Sequence, residues 1–538
     1  MPAIAQKNTK SGRVSTINNT SAGGGFISRI PPAVIGIACG AFLGLSAPGI
    51  GLWFGAWFGL APLLLLASAS TSIWRAAWRG FLFGFGYNFV YLNWFLGLQP
   101  LDWLGFNAWQ GALLATAAWV YHATHQALLV GIFAACMKLT PMHGGFFPEK
   151  IKGQWRLPAL LVVPILWILC VNKLGNAHVL LGAPWTMLEY SQYKQVAIIQ
   201  ICSIIGGIGL NYLIVLVNTA IAALLGIFLF KKLDLSISAS KRMTALGQLM
   251  VCALLISSTV FYGFWQLSKA RESSPIQASV LQGNINIDMQ KAGHRFTLHD
   301  LTAHYTKLLN SAPAGLSIWP ESALPCYLSR EPALLEHLSS IAEGKHLDMI
   351  IGAMDKDERN RPYNSAYGIN SSGKLAANIY HKRYLVPFGE YTPAPARLLP
   401  EWILRLTNTP AGSGFESGTD AAVLRLNCGQ VGPLICFETL SPELVAASVR
   451  KGARLLVNVG DPAWFHDSIC GEQMIAFSVL RAVESDRFFI FAANTGPSAI
   501  IDPAGRITHR SVSGKECVLV GKVGFLSDVT PFSQWFVF

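Results

Sequence analysis

"VGPLICFETLSPEL", residues 431–444, runs a mostly apolar strand straight into a cysteine. Phe437, Glu438 and Thr439 follow, and then "SPELVAASVR", whose spacing predicts a helix with Ser441 at its cap. A strand that ends on a thiol, with a carboxylate two residues on, has two readings. Free cysteine packs as a small hydrophobe, and alone Cys436 reads as an inert core residue. A base and a cation beside it would make it a nucleophile. The rest of the chain has to supply them.

Around this stretch, from about residue 272 onward, short β-rich runs alternate with amphipathic helices. "IQASVLQGNI" reads as a strand ending at Gly283, and "FTLHDLTAHYTKLLNSA" has helical spacing. "GLSIWPES" is a strand stopped by Pro320, and "EPALLEHLSSIAEG" a helix closed by a Gly C-cap. "LDMIIGA" is a strand, and "NSAYGIN" with "LAANIYHKRYLV" forms an antiparallel pair across "SSGK". After "PLIC" and its helix come the strand "ARLLVNVG", a helix over "CGEQMIAFSVLRAVES" and the strand "FFIFAANT". This pattern predicts a mixed, layered α/β domain with a self-sufficient core. It contains no GxxxxGK[ST] or GxGxxG signature for nucleotide binding.

The first half is different. The chain is 52% hydrophobic and only 13% charged, against about 25% charged residues in a typical soluble protein. Seven apolar stretches, roughly 31–50, 53–70, 77–97, 108–138, 157–172, 195–230 and 244–266, read as membrane helices. The fourth and sixth are long enough to expect tilt or kinks, and the first two, joined by "SAPGIG", form a tight pair or a re-entrant hairpin. The net charge of +12 does not indicate nucleic acid, because residues 271–538 are nearly neutral and the excess lies between the apolar runs. The tail and alternate loops hold fourteen Lys and Arg, the intervening loops two. By the positive-inside rule the N-terminus is cytoplasmic, and seven crossings put everything beyond residue 270 on the other side. The expected units are a disordered cytoplasmic tail (1–30), a membrane domain of about seven helices (31–270), an extracytoplasmic α/β domain (271–525) and a short tail (526–538). That last tail, "VTPFSQWFVF", is too short to cross and is expected to stay outside, with Trp535, Phe536 and Phe538 at the interface.

Three reactive groups fall where strands end: Glu321 after "SIWP", Lys382 in "YHKRYLVPFGEY", and Cys436. A carboxylate takes a thiol proton, and an ammonium favours thiolate and then stabilises a tetrahedral oxyanion. Such a set suits acyl transfer through a thioester. On the residues alone, Glu321 equally caps a turn and Lys382 is equally a surface lysine.

"WPESALP", "HKRYLVPFGEY" and "LICFE" resemble the signature segments of the nitrilase (carbon–nitrogen hydrolase) superfamily, whose members use a Glu–Lys–Cys triad. Taken in order with "LQGNI" and "NVGDPAWFHDS", behind a multi-span first half, they resemble most the apolipoprotein N-acyltransferases of bacterial inner membranes. The resemblance covers nearly the whole chain. It implies a polytopic helical membrane domain followed by a nitrilase-like αββα sandwich. It implies transfer of a fatty acyl chain from a membrane phospholipid to the α-amino group of a diacylated apolipoprotein's N-terminal cysteine, with no cofactor. By it Cys436 is the nucleophile, Glu321 the general base and Lys382 the oxyanion stabiliser, with Glu390 and Glu438 in support. A structural salt bridge is the rival reading for both, and an equal one for Glu438. Phe437 stands where many relatives have Tyr. Trp464 and Phe465 are candidate lid residues or core aromatics, and Pro462 interrupts the motif before them. Relatives usually end in an eighth span, which this sequence does not show.

The other cysteines, among them Cys326, Cys428, Cys470 and Cys517 in the outer domain, fix no disulfide pairing. No CxxC or HExxH occurs, so no metal is expected. His122 and His125, at membrane depth, are functional candidates whose favoured reading is interhelical hydrogen bonding. The rival functions are a membrane-tethered amidase with water as acceptor, and a non-catalytic lipid or lipoprotein carrier. A transporter fits poorly, since the spans carry almost no acidic residues.

Overall fold

The structure, a computed structural model, describes residues 31–102, 105–176, 185–231, 239–269, 271, 274–285, 296–393 and 414–535. The tail expected over 1–30, and Phe536 and Phe538, lie outside these residues.

The apolar first half folds into helices α1 (Pro32–Gly44), α2 (Ala61–Ser68), α3 (Ile73–Tyr91), α4 (Ala108–Leu139), α5 (Ala159–Trp167), α6 (Val196–Ile199), α7 (Cys202–Lys231) and α8 (Ala239–Ser268). Among the described residues α4, α7 (over Cys202–Phe228) and α8 are long and apolar enough to cross a membrane, by length and composition. The 13 residues of α1 reach only about 20 Å at 1.5 Å per residue, short of a ~30 Å hydrocarbon core. The second stretch is broken by a 3₁₀ turn at Trp53–Trp57. The fifth passes through Pro164 into a π turn at Ile168–Lys173. The expected kink in the sixth is at Gly206, whose φ of 68° interrupts α7. α1 and α3 meet backbone to backbone: a Cβ on Gly40 would lie 1.9 Å from Phe83 O, and one on Gly86 2.1 Å from Ile37 O. α8 turns Met250, Leu254, Phe261 and Phe264 outward, as a lipid-facing helix does. A small sheet of β1 (Met142–His143), β2 (Glu149–Ile151) and β3 (Gln154–Pro158) fills the α4–α5 connection.

The second half is two sheets face to face. One has the order β16-β4-β5-β7-β8-β9, with β6 beside β7. Its strands are β4 (Ile276–Gln282), β5 (Gly315–Ile318), β6 (Leu324–Tyr327), β7 (Leu347–Lys356), β8 (Pro362–Ile369), β9 (Tyr380–His381) and β16 (Cys517–Val523). The other runs β10-β11-β12-β13-β14-β15. It comprises β10 (Leu424–Arg425), β11 (Gln430–Ile435), β12 (Leu455–Gly460), β13 (Phe489–Ala493), β14 (Ala499–Ile501) and β15 (Ile507–Arg510). Val280, Ile318 and Ile350 of the first pack on Ile435, Val457 and Ile490 of the second. Helices α9 (Leu298–Leu309) and α10 (Pro332–Lys345) cover one outer face, α11 (Pro442–Arg450) and α12 (Cys470–Ser485) the other. These are the four layers of an αββα sandwich.

The core under α12 does not stop at the domain. Phe477 and Leu480 share one buried cluster with Trp94, Trp185, Tyr190 and Leu210 of the helical half.

Two expectations are corrected. α10 ends on His346 in the left-handed region (φ 51°), with Gly344 inside its last turn rather than at the cap. The pair across "SSGK" is also shorter than a full hairpin: beyond an Ile369–Leu375 bridge, only Tyr380 and His381 pair with β8.

Candidate active site

Two of the three strand-end residues sit at a forced change of direction. β5 ends at Ile318, Pro320 cannot extend the ladder, and Glu321 sits in the turn before Ser322 (φ 54°). β11 ends at Ile435, and Cys436 takes a φ of 53° before a 3₁₀ turn over Cys436–Leu440. A left-handed backbone at a residue with a side chain costs on the order of 1–3 kcal/mol and is held only by its surroundings. Here Asn458 Nδ2 of β12 donates to the Cys436 carbonyl at 2.7 Å. Lys382 follows β9, its own N–H donating to Asn364 O at 2.8 Å.

These turns bring the predicted carboxylates and the amine together. Lys382 Nζ, 1% exposed, donates to Glu321 Oε1 at 3.1 Å and to Glu390 Oε1 at 2.9 Å. Asn364 Nδ2 donates to the same two oxygens at 2.7 and 2.8 Å, so one ammonium and one amide hold both carboxylates. The second oxygen of Glu390 accepts from Val386 N at 2.8 Å, and that of Glu321 from Asp461 N at 3.0 Å. Burial lowers the Lys382 pKa, but Glu321 and Glu390 more than reverse this and hold the amine well above its ordinary range, as an ammonium. Burial pushes the Cys436 thiol well above its ordinary range. Glu321 adds to the rise, while Lys382 and the Asp461 N–H oppose it. Resting Cys436 is therefore a neutral thiol beside a buried ion cluster, and its activation needs a base at the moment of attack.

Glu438 is fully buried and is not in a salt bridge among the described residues. Its Oε1 accepts from Arg383 N (2.6 Å) and Tyr384 N (3.1 Å), its Oε2 from Ile435 N (2.7 Å) and Tyr380 Oη (2.8 Å). One carboxylate thus pins the chain around Lys382 to the chain entering Cys436. Asn364, Tyr380 and Asn458 escaped the sequence reading. The available signal was an asparagine or a tyrosine hydroxyl in an otherwise apolar buried strand, which needs a partner.

Toward the helical half, the residues around the thiol pack on aromatics. Phe437 packs edge-on against Trp185 at 5.1 Å, and Phe465 edge-on against Trp94 at 4.7 Å. Trp464 is half-buried in the same turn. Pro462 sits at the first position of the 3₁₀ turn Pro462–Phe465, where its missing N–H costs nothing, behind Asp461 as the cap. This turn touches the helical half closely: His466 Nδ1 donates to Gly97 O at 2.7 Å, and a Cβ on Gly97 would lie 2.3 Å from Phe465 O. Gln473 of α12 donates to Tyr91 O at 3.1 Å and accepts from Trp185 Nε1.

Residues 277–525 match the family model of the carbon-nitrogen hydrolases, and residues 39–220 that of the apolipoprotein N-acyltransferase N-terminal domain. An apolipoprotein N-acyltransferase of Geobacter metallireducens is 32% identical over 498 residues, covering 91% of this chain and 89% of its own. One from Gloeobacter violaceus is 29% identical over 499 residues, covering 92% and 89%. Among solved structures, Nit3 of Saccharomyces cerevisiae, a member of branch 10 of the nitrilase superfamily, aligns with a TM-score of 0.36 at 16% identity, over 48% of this chain and 92% of its own. With a relative at that identity along nine-tenths of its length, the chain belongs to the apolipoprotein N-acyltransferase family.

Proposed function

We propose that this protein moves a fatty acyl chain from a membrane phospholipid, through a thioester on Cys436, to the α-amino group of an apolipoprotein's N-terminal S-diacylglyceryl-cysteine. The observation that carries the reading is the buried Glu321–Lys382–Glu390 cluster beside a half-buried thiol that is neutral at rest. In the first step Cys436 Sγ attacks the ester carbonyl as Glu321 takes the thiol proton. Lys382 balances the charge that develops on the carbonyl oxygen. The C–O bond breaks, Glu321 returns the proton to the departing oxygen, and a lysophospholipid leaves. In the second step the amine attacks the thioester, Glu321 accepts its proton, and Cys436 leaves to be reprotonated as thiol. Glu390 neutralises the second face of Lys382, and Glu438 fixes the spacing of Lys382 and Cys436. The aromatic wall of Trp94, Trp185, Phe437 and Phe465 supplies an apolar passage between thiol and bilayer, with Trp464 and Phe465 as its movable edge.

The charge pattern of the loops supports a plasma-membrane protein with the sandwich on the outer face, where both lipid substrates present their head groups. Incubation of the purified protein with a phospholipid of labelled acyl chain and a diacylated cysteine peptide tests this. The peptide should gain the label on its amine; release of free fatty acid alone would favour a tethered amidase.

A further inference from the structure

At the end of the helices away from the sandwich, a cavity of about 940 Å³ opens among α2, α5 and α7. This is the upper end of the range for ligand pockets. Its inner wall is apolar, with Leu64, Leu160, Val163 and Ala222 all buried. Its mouth carries Lys138, Arg156 and Lys241, and no Asp or Glu lines it among the described residues. The nearby acid, Glu149, is 63% exposed and sits 3.7 Å from His143. Arg156 Nε is buried with no hydrogen-bond partner among the described residues, and Lys138 reaches only Ser68 O at 3.5 Å. Gln248, by contrast, is already engaged with Gly144 O at 2.8 Å. An uncommitted buried guanidinium N–H and two ammonium groups with no carboxylate partner among the described residues, over an apolar cleft, form half of an ion pair.

The geometry points to a binding site for one anionic phospholipid of the leaflet opposite the sandwich. One acyl chain lies between α2, α5 and α7, and the phosphate rests against Arg156, flanked by Lys138 and Lys241. A lipid fits better than a soluble anion because the apolar wall is continuous with the charged mouth. Phe147, exposed in the β1–β2 connection, and Trp155, exposed on β3, stand beside the mouth and are placed as interfacial anchors. Basic pockets between membrane helices on the cytoplasmic side are suited to anionic head groups. The site is separate from the thiol: Ala222 stands about 20 Å along α7 from Gly207, which touches Glu484 of the sandwich.

The test is photo-crosslinking of the full-length Cys436→Ala protein in nanodiscs, using phosphatidylglycerol or phosphatidylcholine with a diazirine at mid-chain. The phosphatidylglycerol probe should label peptides from α5 and the second half of α7, at least tenfold above phosphatidylcholine. Lys138→Gln/Arg156→Gln/Lys241→Gln should remove that excess, and Arg156→Lys alone should retain most of it. Equal labelling by both probes, an excess that survives the triple substitution, or competition by millimolar inorganic phosphate alone would overturn the assignment. If the triple variant misfolds, Leu160→Trp, which fills the apolar end and leaves the charges, should abolish the same labelling.

Discussion

Glu438 shows how much one side chain can carry without touching the chemistry. It accepts four hydrogen bonds, three of them from backbone N–H groups on two separate segments. Glu438→Gln turns one acceptor oxygen into an amide that faces donors, a mismatch costing about 1–3 kcal/mol. Activity should fall about 10- to 100-fold through kcat, with Tm lowered, in a turnover assay beside a thermal melt. Asp461 is the other informative residue, since burial and then the Glu321 charge push its carboxyl up to about 7. With the folded value raised and the unfolded one near 3.8, the stability it contributes is complete below about pH 4 and lost as pH rises to 7. Asp461→Asn keeps the acceptor oxygen and removes the titration. Its Tm should match wild type near pH 4 and exceed it by an amount that grows to pH 7 and is constant above. A pH-independent difference would mean that Asp461 is ionised in the folded state throughout.

Among elements, the turn Pro462–Phe465 and the 3₁₀ turn Asn93–Leu98 form a close contact between the two halves. Gly97→Val would drive a side chain into the Phe465 carbonyl, costing about 1–3 kcal/mol of local strain. Transfer activity should drop at least tenfold while the variant still reacts with a small soluble thiol reagent at Cys436. Equal loss of both would show a collapsed sandwich instead. Elements with strong periodicity were readable in the chain: the helix over 470–485 and the strands at 276–282, 455–460 and 489–493 lie where alternation and spacing put them. The strands β14 to β16 and the small sheet at 142–158 were not, because their pairing depends on partners far away in sequence or on short polar runs. The proposed triad positions stood out by residue type and by their place after strands. Asn364 did not, since its role exists only once β8 lies beside both carboxylates. The short first spans were obscured because apolar composition continues through the turns that break them.

For the whole molecule, hydropathy and charge divide the chain into a bilayer part and a watery part, yet the buried core runs through both. The loop charges give an orientation that can be checked from each side. Lys150→Cys and Lys515→Cys are both exposed positions, and in a background without other reactive thiols they should be labelled from opposite faces of sealed vesicles. Labelling of both from one face would contradict seven crossings, and labelling of each from the face opposite to the expected one would reverse the orientation. Under the proposed function the orientation matters, because it would set the thiol against the leaflet that holds both lipid substrates. The decisive experiment is the intact mass of the purified protein after exposure to a phospholipid of known acyl chains, with Cys436→Ala alongside. A hydroxylamine-sensitive gain of one acyl chain, mapped to Cys436, absent from the variant and discharged by a diacylated N-terminal-cysteine peptide, is the expected result. Folded protein that turns over the peptide without ever carrying the chain on Cys436 would contradict the thioester route and return that cysteine to the core.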